Sequence, residues 1–401
     1  MGSVRSNVLS AAACAAVLVG SRMVLACLLP DGGANPCTPT SCIPPAPKGL
    51  ASGIAATATF TPLALSTPRA TPLSAPPLSA APALRVRRDQ ASLGETGKQE
   101  FIDAVKALKA APAKGTNPNA TNRYDEYVLM HGNNCNHFNS GFLPWHRKLL
   151  WEFESDVRAL GAQYADFTVP YWDWTKDEFP SDKVTGGDNL FMGPEGSGAS
   201  HTVTAGPFRA GQWVTQEQFG GNNDLKRAFQ EIEKLKTEGS VSAPAMLAKM
   251  NYTDMSKASE GSLGMHNDAH VRVGGLSPTD QPIGHLADIT SGADDPIFFM
   301  RHGFIDLLWT KWEISANGSL TAFEQFGATG PAIDDLLKQF GAATNDIGFK
   351  NTLNNSVRDQ LDPFNTTKLG YTYDVIPEPG HIGVIMSITS VVIARRQPRA
   401  A

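Results

Sequence analysis

Six of the nine histidines in this 401-residue chain fall into two groups of three. The first group is His131, His137 and His146, and the second is His266, His270 and His302. His266 and His270 are four residues apart, so on a helix both rings share one face, with Cβ atoms about 5–6 Å apart, close enough to hold one metal ion. His302 falls in an aromatic, apolar stretch of helical pattern. Asp306 follows one turn later, where a carboxylate can accept the second ring N–H of a ligand histidine. His146 sits near the start of another helical pattern. His137 lies nine residues before it and His131 six before that, in a Gly/Asn/Cys loop that can fold ligands back onto the helix. Imidazole suits copper, zinc, iron and nickel. A catalytic zinc commonly takes three histidines, but as one ion per site. Two all-histidine trios with no carboxylate ligand nearby point instead to two like ions facing each other, each short of a full shell. For a copper pair, dioxygen is the natural molecule to meet the open positions. A lone histidine is more often a packed core or surface residue, and His201, His285 and His381 take that reading.

Such side chains need rigid carriers. Residues 97–110 place Phe101, Ile102, Val105 and Leu108 at helical spacing. Residues 142–160 form a second helical pattern, with Pro144 near its start and Leu149, Leu150, Phe153 and Val157 along one stripe. Residues 225–236 read as a third, 261–275 as a short fourth, and 294–313 as a fifth. In the fifth, Asp294 or Asp295 can cap and Pro296 suits the first turn. Strand-like alternation is scarce, loops rich in Gly, Pro and Asn fill much of 176–224, and there is no internal repeat. The expectation is one mainly α domain over residues 89–376 with long loops and few short strands.

The remaining composition narrows the function classes. A net charge of −5 excludes nucleic-acid binding driven by bulk positive charge. With 41% hydrophobic and 18% charged residues the chain can bury a core. No charge-free apolar run reaches the length of a spanning helix, so no stable membrane association is expected. Five cysteines are too few for a disulfide scaffold. Residues 1–27 read as a secretory signal, with an uncleaved anchor as the alternative because Arg22 interrupts the apolar run. Sequons at Asn119, Asn251, Asn317, Asn354 and Asn365 agree with a secreted, extracellular glycoprotein. Cys37 and Cys42 form a small disulfide or stay unpaired. Twelve of the 28 prolines fall between Pro30 and Pro82, so residues 28–88 read as a disordered linker or propeptide. The linker ends in Arg85-Val86-Arg87-Arg88, which is either a signal for kexin-type processing or an ordinary charged boundary. Residues 377–401 form an apolar tail with no assigned role, too short to span a membrane.

The histidine motifs carry a resemblance. His137-Phe-Asn-Ser-Gly-Phe-Leu-Pro-Trp-His146-Arg147, Pro170-Tyr-Trp-Asp-Trp174, His266-Asn-Asp-Ala-His270, Asp295-Pro-Ile-Phe-Phe-Met-Arg-His302 and Tyr371-Thr-Tyr373 stand in this order. They resemble the signatures of the tyrosinase family: tyrosinases, catechol oxidases and the related oxygen-carrying hemocyanins, all with a coupled binuclear (type 3) copper site. The match spans about residues 90–376 and looks like a short, secreted, fungal-like form. The resemblance implies a four-helix bundle around two copper ions, one on His131, His137 and His146, the other on His266, His270 and His302. It also implies a thioether between Cys135 and the His137 ring, a free buried cysteine being the alternative. Two departures stand out. Arg301 replaces the first of two adjacent histidines common in the family, which should spare metal binding but alter its surroundings. Only 28 residues follow Tyr373, too few for the plug domain many members carry.

The implied reaction is oxidation of o-diphenols to o-quinones with O2 as co-substrate reduced to water, and with it o-hydroxylation of monophenols. Hydroxylation needs a base to deprotonate the phenol. By resemblance, Asn267 and a water held by Glu260 are the candidates, with a solvated acid at a helix start as the other reading of Glu260. Val271 follows His270, and Ile289, thirteen residues before His302, takes the place of the gate over the second copper. The expected partners are small phenolic substrates and no nucleic acid. The alternatives are an oxygen carrier of hemocyanin type, without turnover, and a hydrolytic dizinc enzyme, which would want bridging carboxylates. The natural phenol and the oligomeric state are not readable from the sequence.

Overall fold

The computed structural model describes residues 13–19, 22–28, 83–114, 118–133, 136–177, 179–181, 190–219, 221–261, 264–337 and 355–377. The expected signal beyond its two short strands, the linker up to residue 82, Cys37, Cys42, Cys135, the Asn354 sequon, His381 and the tail from residue 378 lie outside these. Strands β1 (Ala13–Val19) and β2 (Arg22–Leu28) pair with each other. From residue 83 the chain is mainly helical.

Seven α-helices are present among the described residues: α1 (Gly94–Ala110), α2 (Arg123–Asn133), α3 (Phe142–Arg158), α4 (Lys234–Leu247), α5 (Tyr252–Glu260), α6 (Met265–Gly274) and α7 (Ile297–Glu313). Helix α1 buries the expected stripe of Phe101, Ile102, Val105 and Leu108. Helix α2 was not foreseen. It starts at Asn122, whose side-chain oxygen accepts the Asp125 N–H at 3.0 Å, and it carries acids in its first turn. Its residues Arg123 to His131 are all buried, the charged Arg123, Asp125 and Glu126 included, so charge in this stretch does not mark a solvent face. The expected helix at 225–236 is displaced. Residues 225–232 are irregular, and α4 begins at Lys234. Helix α5 is capped by Asn251, which accepts the Asp254 N–H at 2.8 Å, so this sequon asparagine already has a structural task. Helix α6 ends at Gly275, whose φ of 76° favours glycine. Helix α7 is buried nearly all round and forms the centre of the domain, entered through Pro296.

The other strands are short, as expected. Strand β3 (Arg85–Arg87) runs parallel to β6 (Tyr371–Tyr373), with Arg87 opposite Tyr373, while β4 (Val214–Phe219) and β5 (Asn222–Asp224) form an antiparallel pair. Strand β3 corrects the expected linker boundary. Arg87 is fully buried and donates to both oxygens of Glu154 at 2.7 and 3.1 Å and to Asp306 at 2.9 Å. A guanidinium so deeply paired belongs to the folded domain, so the junction placed after Arg88 moves upstream of β3.

Asp306 is the hub of this buried network. It accepts from Arg147 at 2.6 Å and from the hydroxyls of Tyr371 and Tyr373, both at 2.6 Å. Arg147 also pairs with Glu313 and lies 3.6 Å over the Trp309 ring. Burial would raise the Asp306 carboxyl, but Arg147 and Arg87 hold it below the ordinary range. The hub thereby joins α3, α7, β3 and β6. Among the described residues no helix is long and apolar enough to cross a membrane.

Removing one partner of a buried ion pair leaves the other charge unpaired. Arg87→Ala is therefore expected to lower unfolding stability by about 3–5 kcal/mol in denaturant titration; a loss under about 1 kcal/mol would show that β3 is an ornament of the fold and not a fastener.

Candidate metal centre

The bundle of α2, α3, α6 and α7 carries five of the six histidines, and the α2–α3 connection carries the sixth. His131 sits in the last turns of α2, not in the expected loop. His146 lies one turn into α3, and His137 reaches in from the connecting segment. Their ring centroids are 5.1–5.6 Å apart. His266 and His270 stand one turn apart on α6, and His302 faces them from α7. In each trio the candidate ligand atoms lie within 4.8 Å of one another. The trios face each other: His146 and His302 stack with centroids 4.4 Å apart and planes 5° apart, and His137 and His266 are 5.2 Å apart.

Tautomers follow from the second ring nitrogens. His146 Nδ1 bonds the Phe142 carbonyl at 2.8 Å, and His302 Nδ1 bonds the Phe298 carbonyl at 2.9 Å. His270 Nδ1 bonds the Leu286 carbonyl, and His266 Nδ1 the Asn267 side-chain oxygen at 2.9 Å. Carbonyl oxygens only accept, so in these four rings Nδ1 carries the proton and Nε2 presents a lone pair. His266 Nε2 then lies 3.2 Å from both His302 Nε2 and His270 Nε2. Neutral lone pairs held face to face repel one another and need a cation between them. A tetrahedral ion with bonds of about 2.0 Å sets its ligand nitrogens about 3.3 Å apart, so the spacing fits. In the first trio the Nε2 atoms of His137 and His146 are buried without a hydrogen-bond partner, as metal ligands require, and the His131 ring meets the Ile289 backbone.

Burial is the main force on all six rings, and it pushes every one of them below the ordinary histidine range, His137 to about 3. Neutral imidazoles are the metal-binding form.

The other expected residues divide. Asp306 does not serve His302: its oxygens are taken by Arg87, Arg147, Tyr371 and Tyr373, while His302 Nδ1 is held by the Phe298 carbonyl one turn back in its own helix. Glu260 ends α5, not a helix start, and is buried. Its Oε2 accepts the Phe138 N–H at 2.8 Å, and its Oε1 has no hydrogen-bond partner and lies 3.9 Å from His137 Nδ1. Asn267 meets Glu260 at the backbone, donating to its carbonyl at 2.6 Å. The two expected partners are thus adjacent, but the carboxylate faces the first trio. Val271 and Ile289 are half-buried, with the Ile289 backbone beside His131. Cys135 lies outside the described residues. His285 is a core residue as expected, its Nδ1 accepting the Lys226 N–H at 3.0 Å.

Phe142 and Phe298 were missed. Phe298 packs on His302 and His131 at 4.1 and 4.6 Å, and Phe142 on His146 and His266 at 4.7 and 4.8 Å. Each stands four residues before a ligand histidine and bonds it through its own carbonyl. That repeated spacing is the signal the sequence carried.

Because the folded copper-free chain keeps six imidazoles neutral and the unfolded chain protonates them near pH 6.5, unfolding takes up protons in acid. The stability this provides is complete above about pH 6.5 and is lost as pH falls below it. Each ring contributes a slope of up to about 1.4 kcal/mol per pH unit. Denaturant midpoints of the metal-free protein should fall steeply from pH 6.5 to 5; a flat profile there would mean that the rings are not buried neutral.

Comparison with known proteins agrees with this geometry. The common central domain of tyrosinase matches residues 119–315, a span that contains all six histidines. The chain is 31% identical to a tyrosinase of Streptomyces lincolnensis over 252 residues, covering 57% of this chain and 83% of that protein. It is 31% identical to tyrosinase ustQ of Aspergillus flavus over 284 residues, covering 65% and 74%. A solved polyphenol oxidase from Thermothelomyces thermophila shares the fold with a TM-score of 0.52 at 19% identity, covering 73% of this chain and 89% of that one. With two facing histidine trios suited to a pair of copper ions and dioxygen as co-substrate, the chain belongs to the tyrosinase family.

Proposed function

We propose that this protein is a secreted copper-dependent phenol oxidase that converts o-diphenols to o-quinones and hydroxylates monophenols at the ortho position. The observation that carries the reading is the pair of facing histidine trios, each with its candidate ligand atoms within 4.8 Å of one another. The copper pair, when bound, supplies dioxygen binding and a two-electron sink. Overall, two catechols lose four electrons and four protons, and one O2 becomes two waters.

The chain's own residues supply holding, exclusion of water and proton handling. His131, His137 and His146 hold one ion, and His266, His270 and His302 hold the other. Phe142 and Phe298 wall the rings off from water and fix their tilt. Glu260 is placed to take a phenol proton: it is a buried carboxyl with one oxygen anchored by the Phe138 N–H and the other without a partner beside the first trio. Asn267 tethers the Glu260 backbone to His266 and so couples that carboxyl to the second trio. Val271 and Ile289, both apolar and half-buried, suit the approach of an aromatic ring. The N-terminal lead and the sequons support secretion.

Chelation of copper should abolish oxidation of 4-tert-butylcatechol, and two equivalents of copper per chain should restore it. Restoration by zinc, or by a single copper, would overturn the reading. Glu260→Gln should lower tyrosine hydroxylation by about a hundredfold or more while catechol oxidation stays within a few-fold. An equal loss of both reactions, or of neither, would remove the proton-accepting role.

A further inference from the structure

Arg301 is a charged side chain inside the metal centre for which the reaction has no use. It precedes His302 on α7 and is fully buried. Its Nη1 donates to the His266 carbonyl at 2.7 Å. Its Nη2 lies against His270 Nε2 and is 3.5 Å from His302 Nδ1, and its Nε has no partner. No carboxylate is hydrogen-bonded to it among the described residues. A guanidinium keeps its proton in proteins, so this is a permanent buried cation. Its charge is felt by all six ligand rings.

The contact with His270 is specific. His270 Nδ1 is bonded to the Leu286 carbonyl, so Nε2 is the lone pair that must face a metal, and it is this lone pair that the guanidinium meets. The first trio is different: among the described residues its unpartnered nitrogens have no such donor. The two positions, alike in ligand type, are therefore unlike in charge.

We propose that Arg301 is a placeholder cation of the second metal position, holding His266 and His270 in place in the metal-free chain and making that position the weaker of the two for copper. The inference rests on the copper reading of the site. An incoming ion must displace Nη2 from His270 and then remain beside a fixed positive charge. At separations of about 5 Å and an effective dielectric constant of about 20, that repulsion amounts to a few hundredfold, roughly 10^2.4, in affinity for each unit of charge on the ion. The first trio also feels the charge, but none of its ligand atoms has to be taken from the guanidinium.

The test is titration of the metal-free full-length protein with Cu(I) against a chromophoric chelator, a measurement that needs no turnover. Two steps are expected, the first equivalent binding about a hundredfold tighter than the second. His302→Ala should remove the weak step and His146→Ala the tight one. Arg301→Gln should bring the two steps within about tenfold, while Arg301→Lys, which keeps the charge, should preserve the gap. Two equivalents of equal affinity in the unaltered protein, loss of the tight step in His302→Ala, or an unchanged gap in an Arg301→Gln protein with a normal first step would each overturn the proposal. If Arg301→Gln does not fold, the unaltered protein and the two histidine variants decide. Failure of the unaltered protein to bind copper at all would instead overturn the copper reading.

Discussion

Lone pairs that point at one another inside a protein are a demand for positive charge. Here the donors are neutral because burial makes them so, and four of the six rings are turned inward because their other nitrogen is bonded to an oxygen that can only accept. Everything else in the domain serves to hold that arrangement against its own repulsion. The helices supply the ring positions, and the carbonyls of Phe142 and Phe298 supply the orientation from one turn back in the same helices. A ligand and the group that orients it thus move as one rigid piece.

Rigid pieces still have to be held to each other. Helices α3 and α7 carry the two stacked rings, His146 and His302, and those helices are locked together by Arg147, the residue after His146, and Asp306, one turn beyond His302. Arg87 and the two tyrosines of β6 close the hub from the side, bringing the ends of the domain to the same carboxylate. A buried hub of this kind is directional: its hydrogen bonds fix the rotation and register of two helices in a way that apolar packing does not. The metal centre and the ionic hub are adjacent layers of one device. The first needs a cation from outside, and the second balances its charges internally.

Arg301 marks where those two logics meet. It is a cation placed among metal ligands with no acid hydrogen-bonded to it among the described residues. The same charge that adds to burial in keeping the imidazoles neutral also opposes the ions they are built to hold. Chemical equivalence of the six ligands therefore does not make the two metal positions equivalent.

The metal-binding character of this domain was legible in its residues. Two histidine trios, their division and their metal class followed from type and spacing, because a ligand's identity is local and the i, i+4 rule is a property of the helix alone. Helices α1, α3, α6 and α7 were visible because each shows an apolar period or a turn signal at its start. Helix α2 was not, since its charged residues Arg123, Asp125 and Glu126 are buried along with the apolar ones, so polarity does not mark a solvent face there. The role of Asp306 was misjudged for a related reason. Its position in the helix was known, but its partners, Arg87, Arg147, Tyr371 and Tyr373, come from as far as 219 residues away. Residue type and spacing alone pointed to the two histidine groups that the fold brings together. Only the folded chain decided which oxygen of Glu260 is left without a partner and where the charge of Arg301 lies, because each depends on a contact between segments remote in the chain.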